Sequence, residues 1–191
     1  SVVETDSGGY IAVGTTNSWG YEMDENWLKS VFILKLNQDL TLQEGFTIGD
    51  YSSQLGRSIT KTVDGYIVVG SGRVDGGIPG FSTLIMKLDL IGDYVSTNQV
   101  VIPGADSASP NSVLATNDGG YIIGGSFSNG NSDAMLLKFD SSDNLEWVKK
   151  IGGSQDDGIG QVIQNVDGDY VASGYTDSWG SSRDFLLVKI D

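Results

Sequence analysis

The stretch YIIGGSFSNGNSDAMLLKFD (121–140) decides the fold, because it is typical of two strands joined by a hairpin loop. Its two ends are rich in the branched and aromatic residues that suit a pleated sheet, and the Ser/Asn/Gly run at 128–132 has hairpin-loop composition. An apolar run at 112–116 precedes it and another at 145–150 follows it, each separated from it by an Asn/Asp-rich turn. The sequence therefore predicts an antiparallel unit of four strands over 112–150.

The same unit recurs along the chain of 191 residues. Each copy has a tyrosine, a glycine four positions later and, further on, an apolar run that ends in lysine. The tyrosines are Tyr10, Tyr66, Tyr121 and Tyr170, and the lysines are Lys35, Lys87, Lys138 and Lys189. Intervals of 52, 51 and 51 residues separate the lysines. We place the repeats at 1–57, 58–111, 112–160 and 161–191, and predict a single domain over 1–191.

The third strand of each repeat indicates how the repeats pack. In TLIMKL (83–88) and FLLVKI (185–190) the apolar residues are consecutive rather than alternating, which predicts burial on both sheet faces. Four-stranded antiparallel sheets covered on both faces are the blades of a β-propeller. We predict an all-β chain that forms all or part of a propeller, with a last blade that lacks its outer strand.

An array with an incomplete last blade leaves three alternatives open. The chain is a piece of a larger propeller, a half-propeller that pairs with a second copy, or a four-bladed ring with an imperfect last blade. Each alternative protects the open edge of the last sheet in a different way. The predicted partners therefore include a second copy of this chain or the remaining blades of a larger one.

Composition excludes several classes of function. The chain has 11 basic and 25 acidic residues, a net charge of −14, which disfavours binding to nucleic acid. It has no cysteine and no histidine, so thiol chemistry, zinc–thiolate sites and a histidine base are absent. Nothing approaches the ~20 consecutive apolar residues of a membrane span, so we predict no membrane insertion.

The run KKIGGSQDDGIGQVIQNVDGDYVASGYTDSWGSSRDFLLVKID (149–191) resembles the repeats of secreted bacterial and archaeal propeller proteins, including the seven-bladed beta-propeller repeat group. The third and fourth repeats follow that pattern closely, whereas IPGADSASPNS (102–112) departs from it. The resemblance implies a propeller architecture and an extracellular or cell-surface location. It does not imply one particular activity.

Two tryptophans at equivalent repeat positions are the candidate ligand-binding residues. Trp19 lies in Asn-Ser-Trp-Gly and Trp179 in Asp-Ser-Trp-Gly. An indole on a loop at the rim would stack against a sugar ring. The alternative interpretation is a plug that packs between blades, because large aromatic side chains are usually buried.

Calcium is the candidate cofactor, because oxygen ligands recur at alternate positions of one loop and carboxylates lie between two repeats. The candidate ligands are Asn129, Asn131, Asp133, Asp156 and Asp157. A further acidic run covers 23–26. The alternative interpretation is a set of solvated turn residues that bind no ion. The repeated Asp/Gly turns are interpreted as hairpin chemistry, and each repeated lysine as extending to the blade edge beside an acid.

The sequence therefore favours a non-catalytic extracellular or cell-surface module that binds a glycan or a protein at its loop rim, or builds a surface structure. No Gly-x-Ser-x-Gly elbow or phosphate-binding loop is present. The alternative is a fragment of a carbohydrate-active enzyme that uses carboxylates, since such enzymes need neither histidine nor cysteine.

Overall fold

The computed structural model describes residues 1–17, 29–49, 53–73 and 80–191, and in these residues every regular element is a β-strand. The strands of residues 1–100 are β1 (Val2–Glu4), β2 (Tyr10–Thr16), β3 (Ser30–Leu36), β4 (Leu42–Ile48), β5 (Gln54–Thr62), β6 (Gly65–Arg73), β7 (Phe81–Leu88) and β8 (Tyr94–Val100). Those of 101–191 are β9 (Ser107–Ala115), β10 (Tyr121–Asn129), β11 (Asn131–Phe139), β12 (Leu145–Ile151), β13 (Asp157–Gln164), β14 (Tyr170–Thr176) and β15 (Asp184–Ile190).

The strands form one antiparallel sheet per repeat. Blade 1 is β1–β4, blade 2 is β5–β8 and blade 3 is β9–β12, each with strands in sequence order. Blade 4 is β13–β15, so over 157–191, all of which the structure describes, it has three strands. The predicted all-β fold of four-stranded blades, with a last blade that lacks its outer strand, is confirmed.

The first strand of each later blade starts before the repeat boundary set from the sequence. Strands β5, β9 and β13 begin at Gln54, Ser107 and Asp157, four or five residues ahead of 58, 112 and 161. Each strand contains a register shift against its partner, between Gly56 and Ser58 in β5 for example. A bulge of this kind lets the strand continue past an unpaired residue, so an apparent break in the pattern lies within the strand.

The chain divides into two compact units, residues 1–100 and 101–191. Unit 1 holds blades 1 and 2, and its apolar core joins Val31 and Ile33 of β3 to Leu84 and Met86 of β7. Burial of these apolar side chains is the main driving force for the packing of one blade on the next. Whether the two units form one propeller domain stays a prediction.

Unit 2 repeats this arrangement with blades 3 and 4. Its core joins Ala134 and Leu136 of β11 to Leu186 and Ile190 of β15. We call the side of a blade that carries the repeated lysine its A face and the opposite side its B face. Because side chains alternate along a strand, Ala134 and Leu136 lie on the A face of blade 3, and Leu186 and Ile190 lie on the B face of blade 4. In both units, the A face of one blade therefore packs on the B face of the next.

The predicted burial of the third strand on both faces is confirmed for β7 and β11. Residues from Ser82 to Met86 and from Ala134 to Phe139 are all buried. In β15 the residues alternate instead, with Phe185 and Leu187 exposed. The prediction was wrong for this strand, because nothing in the described residues covers its A face.

The Asp/Gly turns have the structure that their composition predicts. Gly119 has φ of 84°, a region that glycine occupies without strain. Asp118 accepts a hydrogen bond from the Gly120 amide, 3.0 Å away. Three of the four repeated lysines pair with acids as predicted, Lys35 with Glu44, Lys138 with Asp118 and Lys189 with Asp169. Lys35 and Lys138 are themselves buried.

Candidate functional site

Three loops of unit 2 meet at one end of blades 3 and 4, and we call this region the loop end. It comprises the β10–β11 hairpin (129–133), the β12–β13 connection (152–156) and the β14–β15 loop (177–183). Several hydrogen bonds hold the loops together. Asn131 Nδ2 donates to Ser154 O over 2.6 Å, the Ser132 amide to Asp156 Oδ1 over 2.9 Å, and the Asp177 amide to Asp156 O over 2.8 Å. The loop end thereby brings the predicted metal ligands of unit 2 close to Trp179.

Asp157 is the buried anchor of the loop end. Its side chain is inaccessible to solvent, and its Oδ2 accepts hydrogen bonds from Ser178 Oγ over 2.7 Å and from the Gly153 amide over 3.0 Å. Burial alone would raise the pKa of this carboxyl. Hydrogen bonds from the Thr176 and Ser178 side chains and from backbone amides outweigh burial and lower the pKa. Asp157 is therefore a charged group that ties Ser178 to the inter-blade connection.

The second oxygen of Asp157 is less well satisfied. Oδ1 is buried and accepts no hydrogen bond of normal distance and angle, although the Thr176 hydroxyl lies near enough to favour the charged form. The contact between Thr176 and Asp157 is therefore weak, because a hydrogen bond weakens steeply outside its normal range of distance and angle. Asp157 is thus held firmly through one oxygen and loosely through the other.

Asp133 faces Asp157 across Gly152. A Cβ on Gly152 would collide with both Asp133 Oδ1 and Asp157 Oδ2, so glycine is needed for the two carboxylates to approach one another. Burial raises the pKa of Asp133, and the charges of Asp157 and Asp156 raise it further. The two neighbouring carboxyls therefore have pKa shifts of opposite sign: Asp133 binds its proton more tightly and Asp157 less tightly than usual.

The predicted calcium ligands lie near one another, but several of their polar atoms already bond to protein. The Asn131 amide nitrogen is turned to Ser154 O, and Asp156 Oδ1 is taken by the Ser132 amide. Asn129 pairs with Asn131 across the hairpin. Among the described residues, no group of three or more Asp, Glu, His or Cys side chains has a geometry that could hold a metal ion. Calcium binding stays a prediction, and the acidic run 23–26 lies outside the described residues.

Trp179 is the exposed aromatic residue of the loop end. Its side chain is 58% exposed. A Cβ on Gly153 would lie 3.9 Å from Trp179 Nε1, which places the indole beside the inter-blade connection. Both interpretations of Trp179, a ligand-binding residue at the rim and a plug between blades, stay predictions. Trp19 lies outside the described residues, so its proposed equivalence with Trp179 stays a prediction.

Arg183 supports the loop that carries Trp179. Its guanidinium donates to both carboxylate oxygens of Asp177, over 3.0 and 2.7 Å, and stacks 4.0 Å from the Tyr175 ring. Sequence reasoning missed Arg183, Tyr175 and Ser178. The spacing of Asp177 and Arg183 within one loop was an available signal for their ion pair, but the bond between Ser178 and Asp157 joins two different loops.

A surface groove in unit 1 is lined by fewer functional groups than the loop end. It has a volume of about 320 Å³ and lies between the outer strands of blades 1 and 2. Its described lining is Phe46, Thr47, Ile48, Gly49, Gln54, Tyr94 and Thr97. That lining has no carboxylate, lysine or arginine. The loop end of unit 2 is therefore the better candidate site.

Comparison with known proteins supports the fold and does not identify a family. No protein-family model and no curated protein matches the sequence. The predicted resemblance to secreted propeller repeats is therefore supported for the architecture alone.

Solved structures of propeller proteins are similar to this chain. An α-L-arabinofuranosidase from Lactobacillus brevis has a TM-score of 0.61 and 11% identity, over 98% of this chain and 70% of that one. The hemagglutinin-neuraminidase ectodomain of parainfluenza virus 5 has a TM-score of 0.55 and 8% identity, over 94% and 53%. A periplasmic gluconolactonase of Pseudomonas aeruginosa has a TM-score of 0.50 and 11% identity, over 97% and 55%. The chain thus spans about half the length of two of them, and at these identities the likeness shows the fold alone. Within the described residues there is no helix long and apolar enough to cross a membrane.

Proposed function

We propose that this chain is a non-catalytic binding module of an extracellular or cell-surface propeller, and that it takes a carbohydrate at the loop end of unit 2. The observation that carries the proposal is the 58% exposed indole of Trp179, held beside carboxylate, hydroxyl and backbone groups on cross-linked loops. An aromatic face suits the apolar side of a sugar ring, and adjacent polar groups suit its hydroxyls.

The names of the similar structures agree with this choice of ligand class. They include an arabinofuranosidase and a hemagglutinin-neuraminidase, so carbohydrates are the ligands to test first. The words ectodomain and periplasmic in two of the names agree with a location outside the cytoplasm. A net charge of −14, together with Asp133 and Asp156 at the loop end, would repel uronic and sialic acids. A neutral glycan is therefore the expected ligand.

A carboxylate-dependent hydrolase is the second candidate function. It is favoured by the opposite pKa shifts of Asp133 and Asp157, because a pair with separated pKa values can supply an acid and a base. The burial of Asp157 argues against it. A glycosidase carboxylate must flank the scissile bond, whereas Asp157 is inaccessible and its Oδ2 is bonded to Ser178 and Gly153.

A glycan array, followed by calorimetric titration of the best neutral glycan, tests the proposed function. We expect Trp179→Ala to weaken binding at least about tenfold, which corresponds to ~1.4 kcal/mol of lost stacking. Val166→Ala is the matched control, because Val166 is 99% exposed but lies in the turn at the opposite end of blade 4. Binding that is unchanged by Trp179→Ala would contradict this use of the loop end.

The same preparation separates the two functions. Reducing-end release from each glycan that binds should stay at the level of a buffer blank. Turnover that is lost in Asp133→Asn but retained in Asp156→Asn would replace the binding module with the hydrolase.

A further inference from the structure

The A face of blade 4 is an apolar surface that nothing in the described residues covers. Phe185 is 72% exposed, Leu187 is 62% exposed and Ile163 is 50% exposed. Strand register places all three on this face, because Leu187 pairs with Ser173 and Ile163 lies across from Val171 and Lys189. Three apolar side chains on one sheet face are more than single scattered surface residues, and such a patch marks an interaction site.

The same positions are buried where a further blade is present. Ala134 and Leu136 of blade 3 correspond to Phe185 and Leu187, and both are 0% exposed. In unit 1, Val31 and Ile33 correspond to them and are also 0% exposed. In the described residues, blade 4 thus presents the side chains of a blade interface on a face that no blade covers.

Both units show what covers an A face. In each case the cover is the B face of the next blade, and the two interfaces share a hydrogen bond. The Ile59 amide of blade 2 donates to Ser1 Oγ of blade 1 over 3.4 Å, and the Val162 amide of blade 4 donates to Ser112 Oγ of blade 3 over 3.3 Å. The fitting partner for the A face of blade 4 is therefore a B face of this same repeat.

Blade 1 presents such a B face. Val2 of β1 pairs with Ala12 and lies on the B face, where it is 59% exposed. Its equivalents in the second blade of each unit, Ile59 and Val162, are 4% and 3% exposed. On β3, Phe32 and Leu34 are only half-buried on the same face, whereas Met86 in the equivalent place on blade 2 is 0% exposed. The chain thus carries both halves of a blade interface, one on its first blade and one on its last.

We infer that this chain associates with a second copy of itself, the A face of blade 4 in one copy packing on the B face of blade 1 in the other. The contact is heterologous, so each copy supplies a different surface, and two copies that close on one another make it twice. The interaction is independent of the loop end, because Phe185, Leu187 and Val2 take no part in that site.

Analytical ultracentrifugation of the chain over roughly 1–100 μM, a range that spans ordinary micromolar affinities, tests the inference. We expect a concentration-dependent species of twice the 20.3 kDa chain mass. Phe185→Asp and Val2→Asp should each weaken association at least about tenfold, since each places a charge at the centre of an apolar contact. Both residues are exposed, so both variants should keep the parent's circular dichroism spectrum and melting temperature. Val166→Asp, at a 99% exposed residue in the turn at one end of blade 4, should associate as the parent does.

Mixing the two variants tests the geometry. The Val2→Asp chain keeps an intact A face and the Phe185→Asp chain an intact B face, so an equimolar mixture should recover association through one interface. A parent that stays monomeric throughout the range overturns the inference. Association that either variant leaves unchanged, that Val166→Asp also abolishes, or that the mixture does not recover overturns it as well.

Discussion

Lys138 of blade 3 and Lys189 of blade 4 occupy the same position of the repeat in opposite surroundings. The Lys138 side chain is 2% exposed, and its Nζ lies 2.8 Å from Asp118 Oδ2 and 2.9 Å from Glu146 Oε2. The Lys189 side chain is 58% exposed and lies 2.7 Å from Asp169. Blade 4 packs on the A face that carries Lys138, whereas nothing in the described residues packs on the face that carries Lys189.

A covering blade changes how much the lysine–acid ion pair contributes to the stability of the fold. Burial would lower the pKa of Lys138, but hydrogen bonds from its ammonium to Asp118 and Glu146 outweigh burial and raise it. Burial also acts against the charge of Asp118, yet Lys138, Thr116 and the Gly120 amide lower the pKa of Asp118 to about 2. In the Lys189–Asp169 pair the acid is 19% exposed but the lysine is 58% exposed, so water screens the pair and its contribution is small. The same lysine–acid pair therefore contributes different amounts to the stability of different blades.

The largest expected effect is the difference in stability between the alanine variants of Lys138 and Lys189. Lys138→Ala should lower the free energy of unfolding by about 2 kcal/mol, mainly because it removes a buried aliphatic stem. Its partners Asp118 and Glu146 are 55% and 44% exposed, so water solvates them once the lysine is gone. Lys189→Ala should leave stability nearly unchanged. Urea unfolding followed by circular dichroism measures both. Equal losses for the two variants would mean that the covering blade does not set the strength of the pair.

The repeat, its strands and its lysine–acid pairs could be predicted because their signals are local. Tyr-x-x-x-Gly, the Asp/Gly turns and the lysine-terminated runs each lie within a few residues of the structure that they specify. The coverage of a face is not local. FLLVKI in β15 has the same apolar pattern as TLIMKL in β7, so its sequence alone could not show that Phe185 and Leu187 are exposed.

The candidate site also has some features that the sequence could predict and others that it could not. The exposure of the Trp179 loop is compatible with the prediction of a rim residue. The different roles of Asp156 and Asp157 were beyond the sequence, because strand β13 begins between the two residues. Asp156 stays in the loop and bonds to the Ser132 amide, whereas Asp157 turns inward to Ser178, a contact between residues 21 apart.

Substitution of Asp157, compared with substitution of its neighbour Asp156, should give the second largest loss of stability. Asp157→Asn should cost about 2 kcal/mol, because the buried hydrogen bonds from Ser178 and Gly153 lose their charged acceptor. Asp156→Asn should cost far less, since an amide oxygen can still accept from the Ser132 amide. Thermal unfolding at neutral pH compares the two variants. If Asp156→Asn is the more damaging, the loop end is held by its exposed carboxylate and not by its buried one.

The smallest expected effect is a pH dependence of stability, which arises from Asp118, the acid that pairs with Lys138. A carboxyl whose folded pKa is lowered stabilises the protein fully above its unfolded pKa, near 3.8, and loses that contribution as the pH falls through the folded value, about 2 for Asp118. Asp118→Asn should therefore melt a few degrees below the parent from pH 5 to 7, a difference on the order of 1 kcal/mol once solvent screening of the 55% exposed Asp118 side chain is allowed for. The difference should shrink steadily between pH 4 and pH 2.

Asp169→Asn is the matched control for this titration, because it removes the acid that faces the exposed Lys189. The pKa of Asp169 is also lowered by its lysine, so the sign of its pH dependence is the same. The size should be smaller at every pH, since water screens the pair that it breaks. Melting curves that separate from the parent equally in the two variants, and converge over the same range of pH, would show that an uncovered blade holds its ion pair as strongly as a covered one.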